Sequence, residues 1–325
     1  MSKLGYSDLS HRVASILRGW RKPRLPTAAR RRPCLVVGHR GAARLEPENT
    51  IASFRRAIAL GADAIETDVS VTADGRFALW HDADPDDKVA LARQLGAERL
   101  AYRPSIPDLG SSARKPVRLL NAEELLAQYA YVRNELSEVP VAGPERVGIE
   151  RLDDLLAWTA TASAPRHVFL DIKLAEDQTQ AAEALVALLR ARTDSKTRRT
   201  FHLLSPRAKI VKALLRATRN GDPGFLRISA DFELPGAAEI GPRTGAADVS
   251  LGYGGRFWAG FRDDVSRALR ARDRGRIERV VAWTINERRK LEPLVKASID
   301  GVLTDEPDLL RKLVDAEGTS AGEAA

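Results

Sequence analysis

The amino-acid sequence predicts an α/β fold, a single (β/α)8 TIM-type barrel with an insertion after its early strands. Three observations lead there. From residue 34 onward, short β-rich runs alternate with amphipathic helical stretches, the order that builds a parallel sheet. The number of those runs suits closure of the sheet into a barrel. The chain has 325 residues, 44% hydrophobic and 30% charged, an ordinary globular composition with enough length for one large core.

Strand-like segments fall at 34–38, 62–70, 76–81, 167–172, 200–205, 225–230, 247–252, 278–284 and 299–304. Helical patterns fill 49–60, 151–162, 176–192, 206–219, 259–274, 287–297 and 307–315, and Asn49 or Thr50 is placed to cap the first. Nine strand candidates exceed a barrel's eight places. The turn Ala73-Asp74-Gly75 predicts a hairpin between 62–70 and 76–81, which would make that pair antiparallel. The barrel is expected over 34–315. Within it, 83–148 is the least regular stretch, with Asp84-Pro85, Arg103-Pro104, Ile106-Pro107, Lys115-Pro116 and one helical run at 121–135. An insertion of that length reads as a lid or substrate-binding subdomain. Residues 316–325 are small and polar and are expected to be disordered.

The net charge of +8 is concentrated at the front. Residues 1–33 hold nine basic side chains against the single acid Asp8, and the rest of the chain is balanced. A nucleic-acid enzyme would spread positive charge along a groove of the fold, so no nucleic-acid partner is expected. In the arm, Leu9, Val13, Ile16, Leu17 and Trp20 recur at helical spacing among Arg12, Arg18 and Arg21. That pattern has two readings, a basic amphipathic helix lying on an anionic membrane surface or a solvated extension. No run is apolar for long enough to span a membrane, and the short run Cys34–Val37 is no secretory signal. Cys34 is the only cysteine, so an intrachain disulfide is impossible, which fits a reducing compartment. A cytoplasmic location is expected, peripheral to the inner membrane surface if the arm binds lipid.

Chemistry concentrates at strand ends, where a barrel of this kind gathers its reactive groups. VVGHRGAARLEPENT at 36–50 supplies His39 and Arg40, and AIETDVSVTADGRFALWHD at 64–82 supplies Glu66, Asp68 and His81. Glu66 and Asp68 are two apart, so on a strand both face one side, where they repel unless a cation or proton lies between them. Asp171 is the best third ligand. Three carboxylates are hard oxygen donors suited to one divalent cation, Mg2+ or Ca2+, and less to zinc. Arg40 can fork onto a phosphate and Lys173 adds a point charge on the same anion, and salt bridges from both to the nearby acids are compatible with that role. Trp283 reads either as an apolar wall for a substrate or as a filler of the barrel mouth. His167 and His202 read as hydrogen-bonded structural residues, and His11 as arm surface. Glu48, Asn49 and Thr50 read mainly as loop architecture, and Asp300 and Asp305 as structural.

These residues also resemble a known family. HRG, PENT, the E-x-D pair and the terminal HD are similar to the signature of glycerophosphodiester phosphodiesterases. VFLDIK at 168–173, AWTIN at 282–286 and DGVLTDEP at 300–307 match its later motifs in order. The resemblance spans about 34–314 and implies a barrel that hydrolyses a glycerophosphodiester to sn-glycerol 3-phosphate and an alcohol. It implies His39 as general base and His81 as general acid. A histidine pKa near 6.5 suits both tasks around neutral pH. Asp171 stands where the family usually carries Glu, and in this the chain resembles the related sphingomyelinase D enzymes. The alternative function is therefore a phospholipase D-like enzyme acting on lysophospholipid or sphingomyelin. A second alternative is a non-catalytic phosphate-binding or membrane-recruited barrel, which would be expected to lack one of His39, Arg40, Glu66, Asp68 or His81.

Overall fold

The structure, a computed structural model, describes residues 33–193, 199–219, 224–232, 243–254 and 257–322. Its strands in chain order are β1 (Leu35–Gly38), β2 (Ala64–Val71), β3 (Phe77–Leu79), β4 (Tyr102–Ser105), β5 (Ala130–Arg133) and β6 (Arg146–Gly148), followed by β7 (His167–Ile172), β8 (Thr200–Ser205), β9 (Leu226–Phe232), β10 (Asp248–Gly252), β11 (Arg279–Trp283) and β12 (Gly301–Thr304). Eight of them close a parallel barrel in the order β1, β2, β7, β8, β9, β10, β11, β12 and back to β1. The predicted barrel is therefore present, and the surplus ninth segment is β3. It turns back at Gly75, whose φ is +76°, and pairs antiparallel with β2 through Val69↔Leu79 and Val71↔Phe77.

Period-two alternation sorts the barrel side chains into two layers. Val36, Ile65, Val168, Leu170, Phe201, Leu203, Val280, Ala282 and Val302 point outward and pack with helix residues such as Leu185, Leu214 and Phe261. Val37, Ala64, Phe169, Leu204, Val281 and Leu303 point inward and form a separate apolar layer across the barrel interior. The first helix, Ile51–Ala59, lies so close to β1 that position 38 has room for glycine alone. A Cβ on Gly38 would sit 2.7 Å from the Ala57 Cβ.

The insertion has its own architecture. β4, β5 and β6 form an antiparallel three-stranded sheet, which the sequence pattern did not predict. The expected helix over 121–135 is short, Ala122–Gln128, closed at its start by a capping box between Asn121 and Glu124. After Gln128 the period changes from helix to strand. Tyr129 and Tyr131, two apart, both bury against Trp80, with ring centroids 6.0 and 5.0 Å away. That packing overrides the helical pattern. Trp80 belongs to the stretch between β3 and His81, so the insertion's core is built onto the side of the barrel that carries His81.

The expected disordered tail over 316–325 is corrected in part, because one helix runs from Pro307 to Gly322. Leu310, Leu313 and Val314 anchor it on the barrel core, and the pairs Asp308–Lys312 at 3.2 Å and Arg311–Asp315 at 3.6 Å follow its face. A helix already nucleated extends at little cost through a short polar run. The arm expected over 1–33, including His11, lies outside the described residues except for Pro33.

Candidate active site

β1 ends at Gly38, and the chain turns so that Arg40 has φ +53°. In that left-handed conformation its amide N–H donates to Glu66 Oε2 at 2.9 Å, which ties the turn to β2. Glu66 and Asp68 face the barrel axis from β2. The register of β2 with β7 sets Asp68 beside Asp171. Asn49, φ +57°, clamps the same strand. Its Nδ2 donates to Asp68 Oδ2 at 3.0 Å and its Oδ1 accepts from the Asp68 N–H at 3.0 Å. Thr50 is the helix cap, accepting from the Ser53 N–H at 3.2 Å.

Glu66, Asp68 and Asp171 offer oxygens within 4.8 Å of one another. Burial, and next the Asp68 charge, push the Glu66 carboxyl up to about 8. Asp68 is also buried, but Lys173, His81 and Arg40 hold it well below the usual carboxylate range. Lys173 Nζ sits 3.1 Å from Asp68 and 2.6 Å from Asp171. The other Asp171 oxygen, Oδ1, is buried with no hydrogen-bond partner. Crowded carboxylates, one of them pushed up by burial and its acidic neighbours, and one orphaned oxygen fit a hard divalent cation.

The two predicted histidines flank this cluster, and each is anchored by an aspartate. His39 Nδ1 lies 2.8 Å from Asp305 Oδ1, and Asp305 is fixed in turn by Asn286 Nδ2 at 2.6 Å. His81 Nδ1 lies 2.7 Å from Asp82 Oδ1. With carboxylates accepting at both Nδ1 atoms, the Nε2 atoms are the ones left for proton transfer, that of His39 lying 3.4 Å from the Thr284 hydroxyl. Burial opposes charge on both rings. At His39 the neighbouring Asp305 outweighs it and the pKa is raised. At His81 the cations Lys173 and Arg40 add to burial and the pKa falls well below the ordinary histidine value.

Arg40 lies at this site, but acids surround its guanidinium. Nη1 is 2.9 Å from Glu48 and 3.3 Å from Glu98, and Nε is 3.2 Å from Asp68. Glu48 is therefore a partner of Arg40 and stands outside the three-carboxylate cluster. Trp283 lines the cavity and its Nε1 donates to Asp231 Oδ1 at 2.6 Å. Asp231, inward-facing near the end of β9, escapes the sequence reading. Burial and the Asp171 charge push its carboxyl up to about 7. Asp305, read as structural from sequence, is the partner of His39. Asp300 is structural, held by Arg272 at 2.8 Å. His167 and His202 lie toward the opposite end, Nδ1 to Nε2 at 3.1 Å, with His202 stacked on Phe169 at 4.1 Å.

An inner cavity of about 80 Å³ is lined by His39, Arg40, Glu66, Asp68, His81, Asp171, Lys173, Asp231 and Trp283, among others. His81, Asp171, Lys173, Asp231 and Trp283 also line an outer chamber of about 550 Å³, bounded by Asp84, Val89 and Phe232. A larger cavity of about 890 Å³ lies at the opposite end, where the strands begin, and contains none of these groups.

Residues 39–309 match the glycerophosphoryl diester phosphodiesterase family. The chain belongs to this family. The match begins at His39 and takes in every residue of the cluster. Among curated proteins, a glycerophosphodiester phosphodiesterase of Caldanaerobacter subterraneus is 54% identical over 52 residues, 16% of this chain and 21% of that protein. The aligned segment thus spans about a fifth of that relative's length. The uncharacterized protein YqiK of Bacillus subtilis is 25% identical over 286 residues, 87% of this chain and 99% of YqiK. Solved structures share the fold. A phosphodiesterase of Oleispira antarctica, in complex with the product sn-glycerol-3-phosphate, superposes with TM-score 0.61 at 17% identity, covering 87% of this chain and 97% of its own. A glycerophosphodiester phosphodiesterase of Thermotoga maritima gives 0.56 at 20%, covering 86% and 98%.

Proposed function

We propose that this family member hydrolyses glycerophosphodiesters to sn-glycerol 3-phosphate and an alcohol, using one divalent cation, Mg2+ or Ca2+, held by Glu66, Asp68 and Asp171. One observation carries the reading. Two histidines, each fixed through Nδ1 by an aspartate, flank a buried three-carboxylate cluster at the C-terminal mouth of the barrel. When bound, the cation supplies positive charge for the phosphoryl oxygens. Lys173 and Arg40 add positive charge at the same rim and oppose the negative charge that builds on the phosphoryl group. His39 takes a proton from water or from the neighbouring glycerol hydroxyl, and His81 gives one to the leaving alcohol. The opposite shifts of the two rings support this division. A raised pKa makes His39 the stronger base, and a lowered one makes the His81 imidazolium the stronger acid. The working form, neutral His39 with charged His81, is then a minor protonation state, and the pH profile reports the pair rather than either ring.

The second reading, hydrolysis of a lysolipid, is favoured by exposed apolar side chains on the insertion. Val89 is 55%, Leu95 76% and Leu109 75% exposed, and Val89 lines the outer chamber. Assay of glycerophosphocholine against lysophosphatidylcholine, with Mg2+ or Ca2+ supplied, separates the two. Release of choline from the water-soluble diester is expected, and turnover of the lysolipid alone would overturn the primary reading.

Among the described residues no helix is long and apolar enough to cross a membrane. The basic segment 1–33 is proposed as a peripheral anchor for anionic membrane. Deleting it is expected to leave turnover of a soluble diester within about twofold, since the site lies wholly in the barrel, and to reduce sedimentation with anionic vesicles. Unchanged vesicle binding would reject the anchor.

A further inference from the structure

The insertion supplies one residue that touches both halves of the site from behind. Arg93 lies in the helix Lys88–Gln94, and its side chain is only 2% exposed. Its Nε is 3.0 and 3.3 Å from the two oxygens of Asp82, the carboxylate that holds His81 Nδ1. Its Nη2 bonds Glu48, whose other oxygen lies 2.9 Å from Arg40, and its Nη1 bonds Glu98, which also reaches Arg40. The planar fork of one guanidinium thus faces three carboxylates. A continuous buried chain runs His81, Asp82, Arg93, Glu48, Arg40, Asp68.

We propose that Arg93 is a positioning residue for the reaction, holding the His81 ring through Asp82 and the Arg40 guanidinium through Glu48. This rests on the reading that His81 acts at the substrate. Asp82 must be a carboxylate to accept the His81 Nδ1–H. Burial already pushes its carboxyl up to about 6 with Arg93 in place, and the nearby Glu48 charge pushes the same way. Without Arg93 it would hold a proton at neutral pH and donate to Nδ1 instead of accepting. The hydrogen of the neutral ring would then sit on Nε2, the atom that faces the cavity. A lysine cannot substitute fully, because one ammonium lacks the fork that meets Asp82 and Glu48 together.

The test uses the full chain with Mg2+ or Ca2+ present, in Arg93→Met and Arg93→Lys forms checked for folding by circular dichroism. The first readout is the ring 15N spectrum of labelled histidine, with His81 assigned by its loss in His81→Ala. Arg93→Met is expected to move the His81 signals toward the other tautomer and leave those of His39 in place. The second is the ratio of kcat for glycerophosphocholine to kcat for a p-nitrophenyl glycerophosphodiester, whose leaving group needs no proton. Loss of proton donation by His81 should cost about 100-fold on the alkyl ester and about tenfold or less on the aryl ester. Arg93→Lys should fold like the unmodified chain yet show a smaller shift of the same ratio, and it carries the test if Arg93→Met fails to fold. Unchanged His81 ring signals in a folded variant overturn the proposal, as does an equal loss on both substrates while His81→Ala shows the difference. If His81→Ala itself shows no difference between the esters, the acid role of His81 falls, and the ring signals alone decide the role of Arg93.

Discussion

Replacing His39 by alanine is expected to lower kcat/KM for a glycerophosphodiester by about 10²- to 10⁴-fold, the usual contribution of a positioned general base. The loss should fall on alkyl and aryl leaving groups alike, because the role proposed for His39 is at the attacking oxygen. Folding should survive. Asp305 keeps its bonds from Asn286 Nδ2 at 2.6 Å and from its own backbone N–H to Asn286 Oδ1 at 2.8 Å when the imidazole is removed. The Asp305→Asn variant sharpens the assignment. Burial disfavours charge on His39, and the Asp305 carboxylate is what raises its pKa above the ordinary value. An amide removes that charge and lowers the His39 pKa; because the working form is the minor one, His39 sets the alkaline limb of the kcat/KM profile, which should move to lower pH, with a rate lowered by about ten- to a hundredfold. A profile unchanged in Asp305→Asn, or full hydrolysis by His39→Ala, would defeat the base assignment.

Removing the divalent ion should abolish turnover and also make stability depend on pH. A free Glu66 carboxyl titrates near 4.5, and in the fold burial and then the Asp68 charge raise it to about 8. Asp231 is raised from 3.8 to about 7 by burial and the Asp171 charge. Both groups retain protons in the folded protein that the unfolded chain has released. Stability therefore falls as pH rises through that window and is lowest above pH 8. The Glu66 share of that penalty is on the order of a few kcal/mol, and a cation held by Glu66, Asp68 and Asp171 would relieve it by taking the place of the Glu66 proton. Thermal melts of chelator-treated protein should show Mg2+ or Ca2+ raising Tm by about 5 °C or more at pH 8. At pH 5 the increase should be much smaller. An equal increase at both pH values would argue that the ion binds elsewhere. Full activity in excess EDTA would remove the cation from the mechanism.

Much of this site was legible in the sequence for a simple reason. A strand's period of two sets Glu66 and Asp68 on one face, and barrel topology brings the ends of β1, β2, β7 and β11 to one rim. His39, Asp171, Lys173 and Trp283 follow from those two rules, whereas His81 reaches the rim from β3, the hairpin strand outside the barrel. Asp82 stands next to His81 in the sequence, but the partners of His39 and Trp283 were less legible, because they come from pairings no local pattern encodes. Asp305 meets His39 across 266 positions, and Asp231 meets Trp283 across 52. Asp231 did leave a signal, an acid near the end of a β-rich run with inward parity. In the insertion, the predicted helix 121–135 gave way at Tyr129 because Trp80, far off in sequence, captures Tyr129 and Tyr131 at strand spacing. The tail failed for the opposite reason. Its composition is that of a loop, but the helix before it was already anchored.

The inward apolar layer of Val37, Ala64, Phe169, Leu204, Val281 and Leu303 has a kinetic meaning. It fills the barrel beneath the carboxylates, and the inner chamber shares His81, Asp171, Lys173, Asp231 and Trp283 with the wider space beside it. On the proposed reaction, accumulated phosphomonoester should compete with fresh diester for the same seat beside the carboxylates.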